Sequence, residues 1–144
     1  MESILRRLIF AAKGVRTHFE AALEDEGATL PTWIALQAIN RESGLSQREL
    51  AERMHLEGPT VTRHLDHLEQ AGLISRHRDE IDRRILRVEM TAEGRKLHRR
   101  LRDVARINEE SIIGDLPRRD AAALVRVLEH IEAKLGEADE HLAG

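Results

Sequence analysis

Two short helix-forming segments, capped at their starts and separated by a tight turn, constrain this chain more than any other feature. "SQREL" sets Ser46 three residues before Glu49, the spacing at which a hydroxyl and a carboxylate cap the first turn of a helix. That helix runs to about Met54, with Leu50, Ala51 and Met54 inward. "HLEGP" turns the chain, Leu56 can plug the core, and Gly58-Pro59 opens a second helix with proline at its first position. Val61, Leu65 and Leu68 share one face of it, and Gly72 in "QAGL" stops it. "LISRHR" and "ILRVEM" then read as short strands around the polar loop "DEIDRR", a hairpin placed directly after the helix pair.

The flanks are helical. Leu5, Leu8, Ile9, Ala12, Val15, Phe19 and Leu23 recur at steps of three and four and predict one amphipathic helix over 3–25. Pro31 suits the first turn of the next, whose apolar side is Trp33, Leu36 and Ile39. Thr91 caps a long helix carrying Leu97, Leu101, Val104 and Asn108 or Ile112 on one side. Asp115-Leu116-Pro117 starts the last helix, where Leu124, Leu128, Ile131, Leu135, Ala138 and Leu142 form a coiled-coil-like seam. The expected fold is mainly α with a small β-hairpin, a single domain over 1–144. Its winged helix-turn-helix (30–92) is embedded between N-terminal (1–26) and C-terminal (93–144) helical parts, and the seam of the last helix suits packing on another helix, commonly for dimerisation.

Composition narrows the function. The aromatics are Phe10, Phe19 and Trp33, with no Tyr, so the core must be built from Leu, Ile, Val and Ala, which favours helices. Their scarcity also argues against a single-strand binder that stacks bases on aromatic side chains. There is no Cys, hence no disulfide, thiolate metal site or thiol switch, which fits a cytoplasmic protein. No apolar run approaches the ~18 residues of a membrane span, and the N-terminus reads as an amphipathic helix rather than a signal peptide. The formal net charge of −3 is unevenly spread: residues 1–59 carry −2, residues 60–102 carry +4 and residues 103–144 carry −5. One basic face in an acidic chain suits a polyanion partner.

A helix-turn-helix lays its second helix in the major groove of duplex DNA, its N-terminal side chains reaching base edges. Here those are Pro59, Thr60, Thr62 and Arg63, with His64 and His67 a turn further on. Arg63 has the bidentate donors that read guanine, and Thr60 and Thr62 can bond phosphates or touch thymine methyls. Ser46, Gln47 and Arg48 start the preceding helix, where free N–H groups favour a phosphate. A solvated helix face explains Arg63, His64 and His67 about as well when each is taken alone. His64 and His67 at i, i+3 have metal-ligand spacing, but no third ligand is evident, and no metal or cofactor is expected. Trp33 is either a core anchor or a ligand platform, Ser46 and Thr91 are caps, and Asp82 can be simply a turn residue. No Gly-rich phosphate loop, His-Glu-x-x-His or nucleophile elbow is present, so the chain is not read as an enzyme.

The segments "LSQRELAERMHLEGPTVTRHLDHLEQAGLISR" (45–76) and "DRRILRVEMTAEG" (82–94) resemble the MarR family of winged-helix transcriptional regulators. The second fits the family's wing pattern through Asp82, Arg84, Val88, Met90 and Thr91, and the flanking helices match in order and length. The resemblance implies a homodimer held by its N- and C-terminal helices, each protomer offering one winged helix to a palindromic site. Half-sites would lie about one helical turn, ~34 Å, apart. It implies that Arg84 at the wing tip enters the minor groove and that Asp82 positions it through a salt bridge. Arg76, Arg78, Arg83 and Arg87 are then backbone neutralisers or solvated strand residues. It further implies a repressor released by a small organic, often aromatic and anionic, effector, with Phe19, Trp33 and Leu36 as pocket walls and Arg16 as the anion's partner. Without Cys the chain cannot be one of the family's thiol-based peroxide sensors. The rival reading is a winged-helix module that binds an acidic protein and does not read DNA sequence.

Overall fold

The computed structural model describes residues 3–142. In chain order it contains α1 (Ile4–Glu24), α2 (Leu30–Arg41), α3 (Gln47–Met54), α4 (Gly58–Gln70), β1 (Ile74–Arg78), β2 (Leu86–Met90), α5 (Ala92–Ile113) and α6 (Arg118–Leu142). The chain forms two compact units that divide between Asn108 and Glu109, inside α5. The first unit therefore takes in α1 and most of α5 together with the helix-turn-helix and the hairpin.

Local chemistry sets most boundaries of the first unit. Ser3, Thr29 and Ser46 each cap a helix by accepting a backbone N–H three residues on, the last from Glu49 at 3.0 Å. Between α3 and α4 the chain turns at His55, whose φ of 53° lies in the left-handed region. Leu56 follows, packed against the core as expected. Gly72, at φ 75°, supplies the left-handed residue beyond α4 that a β-carbon would disfavour. β1 and β2 pair antiparallel with Ile74 opposite Met90 and Arg78 opposite Leu86. The second strand also bonds backward: Val88 N–H donates to the Leu45 carbonyl at 2.9 Å, and Arg87 bridges Ser46. The hairpin is thereby fastened to the segment that begins α3.

The core of this unit gathers Leu36 and Ile39 of α2, Leu50 of α3, Val61, Leu65 and Leu68 of α4, and Ile74 and Val88 of the hairpin. Burying a large aliphatic side chain contributes roughly 1.5–3 kcal/mol, so α4 is held chiefly by its 61/65/68 face. α5 enters this packing at a very close approach. A β-carbon on Gly94 would stand 2.0 Å from the Leu73 carbonyl oxygen, so only glycine lets the first turn of α5 lie there. Thr91 secures the same corner, donating its hydroxyl to the Gly72 carbonyl at 2.6 Å and capping Gly94 N–H at 3.0 Å.

The apolar stripe expected along the whole of α1 meets the core only near its C-terminal end. Leu23 is buried and Phe19 half-buried, whereas Leu5, Ile9 and Val15 are exposed. In the second unit α6 begins at Arg118, one residue after Pro117, whose carbonyl accepts from Asp120 and Ala121. No side chain of α6 is buried, and its seam residues Leu124, Leu128 and Leu135 remain exposed.

Candidate nucleic-acid interface

Helical geometry divides α4 into three stripes. Val61, Leu65 and Leu68 face the core. Thr60, Arg63, His64 and His67, spaced three and four apart, lie away from it: Arg63 and His67 are exposed, Thr60 and His64 half-buried. Among the described residues none of the side chains of Arg63, His64, His67 or Arg48 makes a hydrogen bond or ion pair, and Pro59 is exposed at the start of the helix. This is the stripe free to meet a partner. No group of three His, Asp or Glu side chains among the described residues has metal-holding geometry, so His64 and His67 find no third ligand.

The third stripe, Thr62, Asp66 and Glu69, is occupied from within. Arg76 of β1 bonds the Asp66 carboxylate, both Glu69 oxygens at 3.2 and 3.3 Å, and Gln47 Oε1 at 3.2 Å. Gln47 Nε2 in turn donates to Thr62 Oγ1 at 2.9 Å, and the Thr62 hydroxyl donates to the Gly58 carbonyl at 2.9 Å. Hydrogen bonds to Glu69 and then Asp66 push the Arg76 pKa up, against its burial. With its side chain 13% exposed, Arg76 is not the solvated strand residue or loose phosphate neutraliser expected of it. It ties β1 to α3 and α4. Gln47 and Thr62 are likewise engaged with each other, and Thr62's one O–H is spent on Gly58, leaving its methyl and a lone pair to present. Ser46 is 8% exposed, and its hydroxyl serves as the α3 cap expected of it.

The wing loop between β1 and β2 is built on two aspartates. Asp79 Oδ2 accepts the N–H groups of Ile81 and Asp82 at 3.1 and 2.9 Å, and its other oxygen takes Arg87 Nε at 3.2 Å. Asp82 accepts three bonds from Arg84: the backbone N–H at 3.1 Å, Nε at 3.0 Å and Nη2 at 3.1 Å. Arg84 is thus gripped along one edge of its guanidinium, through Nε and Nη2, while its side chain is 90% exposed, so a cation is held out from the tip in a fixed direction. The Arg84 side-chain bonds first, then its backbone N–H, hold the Asp82 carboxyl below the usual range. For Asp79 the Asp82 N–H comes first and Arg87 second, with the same sign. Arg83 is exposed and its side chain makes no contact of this kind among the described residues. Ile81, at the same tip, is almost wholly exposed.

Of the expected effector residues, the structure brings two together and separates two. Phe19 and Trp33 meet edge to face, centroids 6.3 Å apart. Leu36 is fully buried in the core and walls no accessible space, which corrects its assignment as a pocket wall. Arg16 is occupied by Glu20 on the next turn of α1, at 2.6 Å. Sequence reasoning missed the partners on the other side of Trp33. His98 of α5 stacks on the indole, centroids 5.6 Å apart and planes 8° from parallel, and its Nε2 lies 2.7 Å from Gln37 Oε1. Burial pushes the His98 pKa down, assisted by Arg102 and Arg99. Its spacing three before Leu101 places it on the inward face of α5, but nothing local in the sequence says that an indole will stack on it.

Residues 28–86 match the model of the MarR family. Several solved structures are similar over nearly the whole chain. The transcriptional repressor CouR, bound to a 23-mer DNA duplex, is 26% identical, with 90% of this chain and 92% of that one covered and a TM-score of 0.83. PcaV of Streptomyces coelicolor, in complex with its natural ligand, is also 26% identical, covering 90% and 89% at a TM-score of 0.76. The S. aureus MepR–DNA complex shares the fold at 20% identity, covering 93% and 99% with a TM-score of 0.84.

Proposed function

We propose that the chain is a regulator of the MarR family, whose model residues 28–86 match: a homodimeric, sequence-specific duplex-DNA-binding repressor, released by a small organic effector. The observation that carries the reading is the wing: Arg84 is extended, gripped by Asp82 and exposed, on the same unit as an α4 stripe whose Arg63, His64 and His67 have no partner among the described residues. A pre-set cation at a loop tip suits a narrow, negative minor groove, and a free arginine near the start of a helix suits guanine in a major groove. The exposed apolar faces of α1 and α6 suit burial against a second copy, and a two-fold dimer reads a palindrome. PcaV's complex with its natural ligand and CouR's description as a repressor on DNA support the ligand-released form of the reading. The ligand acts by binding the DNA-incompetent arrangement better.

The test begins with selection of bound sequences from random duplex DNA, followed by anisotropy titrations at several salt concentrations and a gel-filtration mass. Arg84→Ala should weaken binding to every sequence and reduce the salt slope by about one phosphate-equivalent. Arg63→Ala should relax discrimination at particular base pairs by roughly 1–3 kcal/mol. A monomer without salt-sensitive DNA binding, or unchanged affinity in both variants, would sink the proposal and favour the protein-interaction module.

A further inference from the structure

The hairpin contains a second arginine whose surroundings differ from those of Arg84. Arg87 lies on β2, and its side chain is 27% exposed. Nη1 donates to the Gly44 carbonyl at 3.1 Å, in the turn before α3, and stands 3.9 Å from Glu49 in the first turn of α3. Nε donates to Asp79 Oδ1 at 3.2 Å, at the root of the wing loop. From Asp79 the bonds continue outward to the N–H groups of Ile81 and Asp82, and from Asp82 to the Arg84 guanidinium. An unbroken series of polar contacts therefore runs from the helix-turn-helix to the exposed cation of the wing.

We propose that Arg87 is a positioning residue for DNA binding: through Asp79 and the loop backbone it fixes where Arg84 stands relative to α3 and α4. The proposal rests on the DNA-binding reading above. Besides Arg87, the loop has one side-chain support from the strands, a long bond of 3.5 Å from Arg78 Nη1 to the Arg84 carbonyl. The strand ladder ends at Arg78 and Leu86, and the residues between are polar or exposed apart from half-buried Ile85, so apolar packing cannot fix the tip. Two backbone bonds close the loop, Asp79 N–H to the Ile85 carbonyl at 2.8 Å and Ile85 N–H to the Asp82 carbonyl at 3.0 Å. These define its shape. They do not orient it against α3, because neither leaves the loop. The Arg87 side chain links that loop to the α3 segment, and it does so with a planar fork that fixes direction as well as distance. A wing arginine held in place before binding loses less freedom on entering a groove, so its contribution to affinity depends on this support.

The test is a double-mutant cycle in the full-length protein with a palindromic duplex taken from the random-pool selection. Arg87→Met is expected to weaken DNA binding about tenfold when Arg84 is present and by less than about twofold when Arg84 is already Ala, because the first residue acts through the second. Asp79→Ala, which leaves Arg87 in place, should show the same dependence on Arg84. Equal losses in both backgrounds overturn the proposal and make Arg87 a direct phosphate contact. A second readout needs no DNA: in the free protein the Ile81 and Asp82 amide protons should exchange about tenfold faster in Arg87→Met than in wild type, while those of α4 do not change. Exchange that stays slow at both amides overturns the relay whatever the DNA result. Faster exchange in a protein whose wild type binds no duplex overturns the DNA-binding reading and, with it, the role assigned to Arg87.

Discussion

Replacing Arg76 with methionine is the most informative single change in the recognition region. The variant keeps much of the aliphatic stem and removes the guanidinium that meets Asp66, Glu69 and Gln47. The stability cost is modest because the carboxylates are 51% and 43% exposed and rehydrate once released. Two partly exposed ion pairs, at about 0.2–1 kcal/mol each, give a loss of roughly 0.4–2 kcal/mol. For a chain of this size that is a fall in Tm of about 1–8 °C. The effect on DNA binding should be larger than this implies. Asp66 and Glu69 stand on α4 itself, and once Arg76 is gone their charge is uncompensated within about one Debye length of any phosphates the helix approaches, ~10 Å at 0.1 M salt. Affinity for a selected duplex should drop on the order of tenfold at that salt, and less as salt rises.

The assay pairs urea unfolding with fluorescence anisotropy on four proteins: wild type, Arg76→Met, Asp66→Asn with Glu69→Gln, and the combination. Neutralising the two acids in the methionine background should bring DNA affinity back to within about threefold of wild type while the unfolding midpoint stays low. The reasoning is refuted if affinity fails to recover when the acids are gone. Arg76 would then act on DNA directly, or through displacement of α4 rather than through charge.

Gly94→Ala should cost about 2–3 kcal/mol, a fall in Tm near 10 °C by calorimetry, because the new methyl would stand 2.0 Å from a backbone oxygen that already accepts Thr91 N–H; a loss under about 0.5 kcal/mol would show that α5 can shift freely. His98 has a lowered pKa in the folded chain, so the unfolded chain binds the proton more readily. Its contribution is complete above the unfolded value of 6.5 and is lost as pH falls from there toward the folded value, which urea midpoints at pH 7.5 and 5.5 should register and His98→Gln should flatten.

What could be read from the sequence was whatever a local rule decides. Ser46, Gly58-Pro59, Gly72 and Thr91 act on residues one to four positions away, and each stands at the helix boundary expected of it. The Asp82–Arg84 pair, two residues apart, followed from the resemblance, and its geometry is present. Long-range contacts were out of reach. Gln47 meets Thr62 across fifteen positions and Arg76 across twenty-nine, and nothing in a helical wheel says what will face a 62/66/69 stripe. Arg76 and Arg87 were therefore read as solvated or phosphate-facing, since their neighbours in sequence are polar and exposed. Leu36 erred the other way: one helical face can line a cavity or fill a core, and only the packing of α2 against α3 and α4 decides.

The same packing resolves the apparent contradiction of acids inside a basic segment. Asp66 and Glu69 hold Arg76, Asp79 holds Arg87, and Asp82 holds Arg84, so four acids are matched to three arginines. The pairs differ in where the cation points. Two guanidiniums are turned inward and fix the relation of α3, α4 and the hairpin; the third is turned outward and remains available. Formal charge over 60–102 therefore overstates the number of cations that can meet a polyanion, since these four acids are each engaged with an arginine. On α3, α4 and the hairpin, the cations left to act are those with no partner among the described residues, Arg48, Arg63 and Arg83, together with Arg84 at the tip. A DNA-binding surface built this way owes its basic character less to total charge than to which arginines the acids leave facing outward.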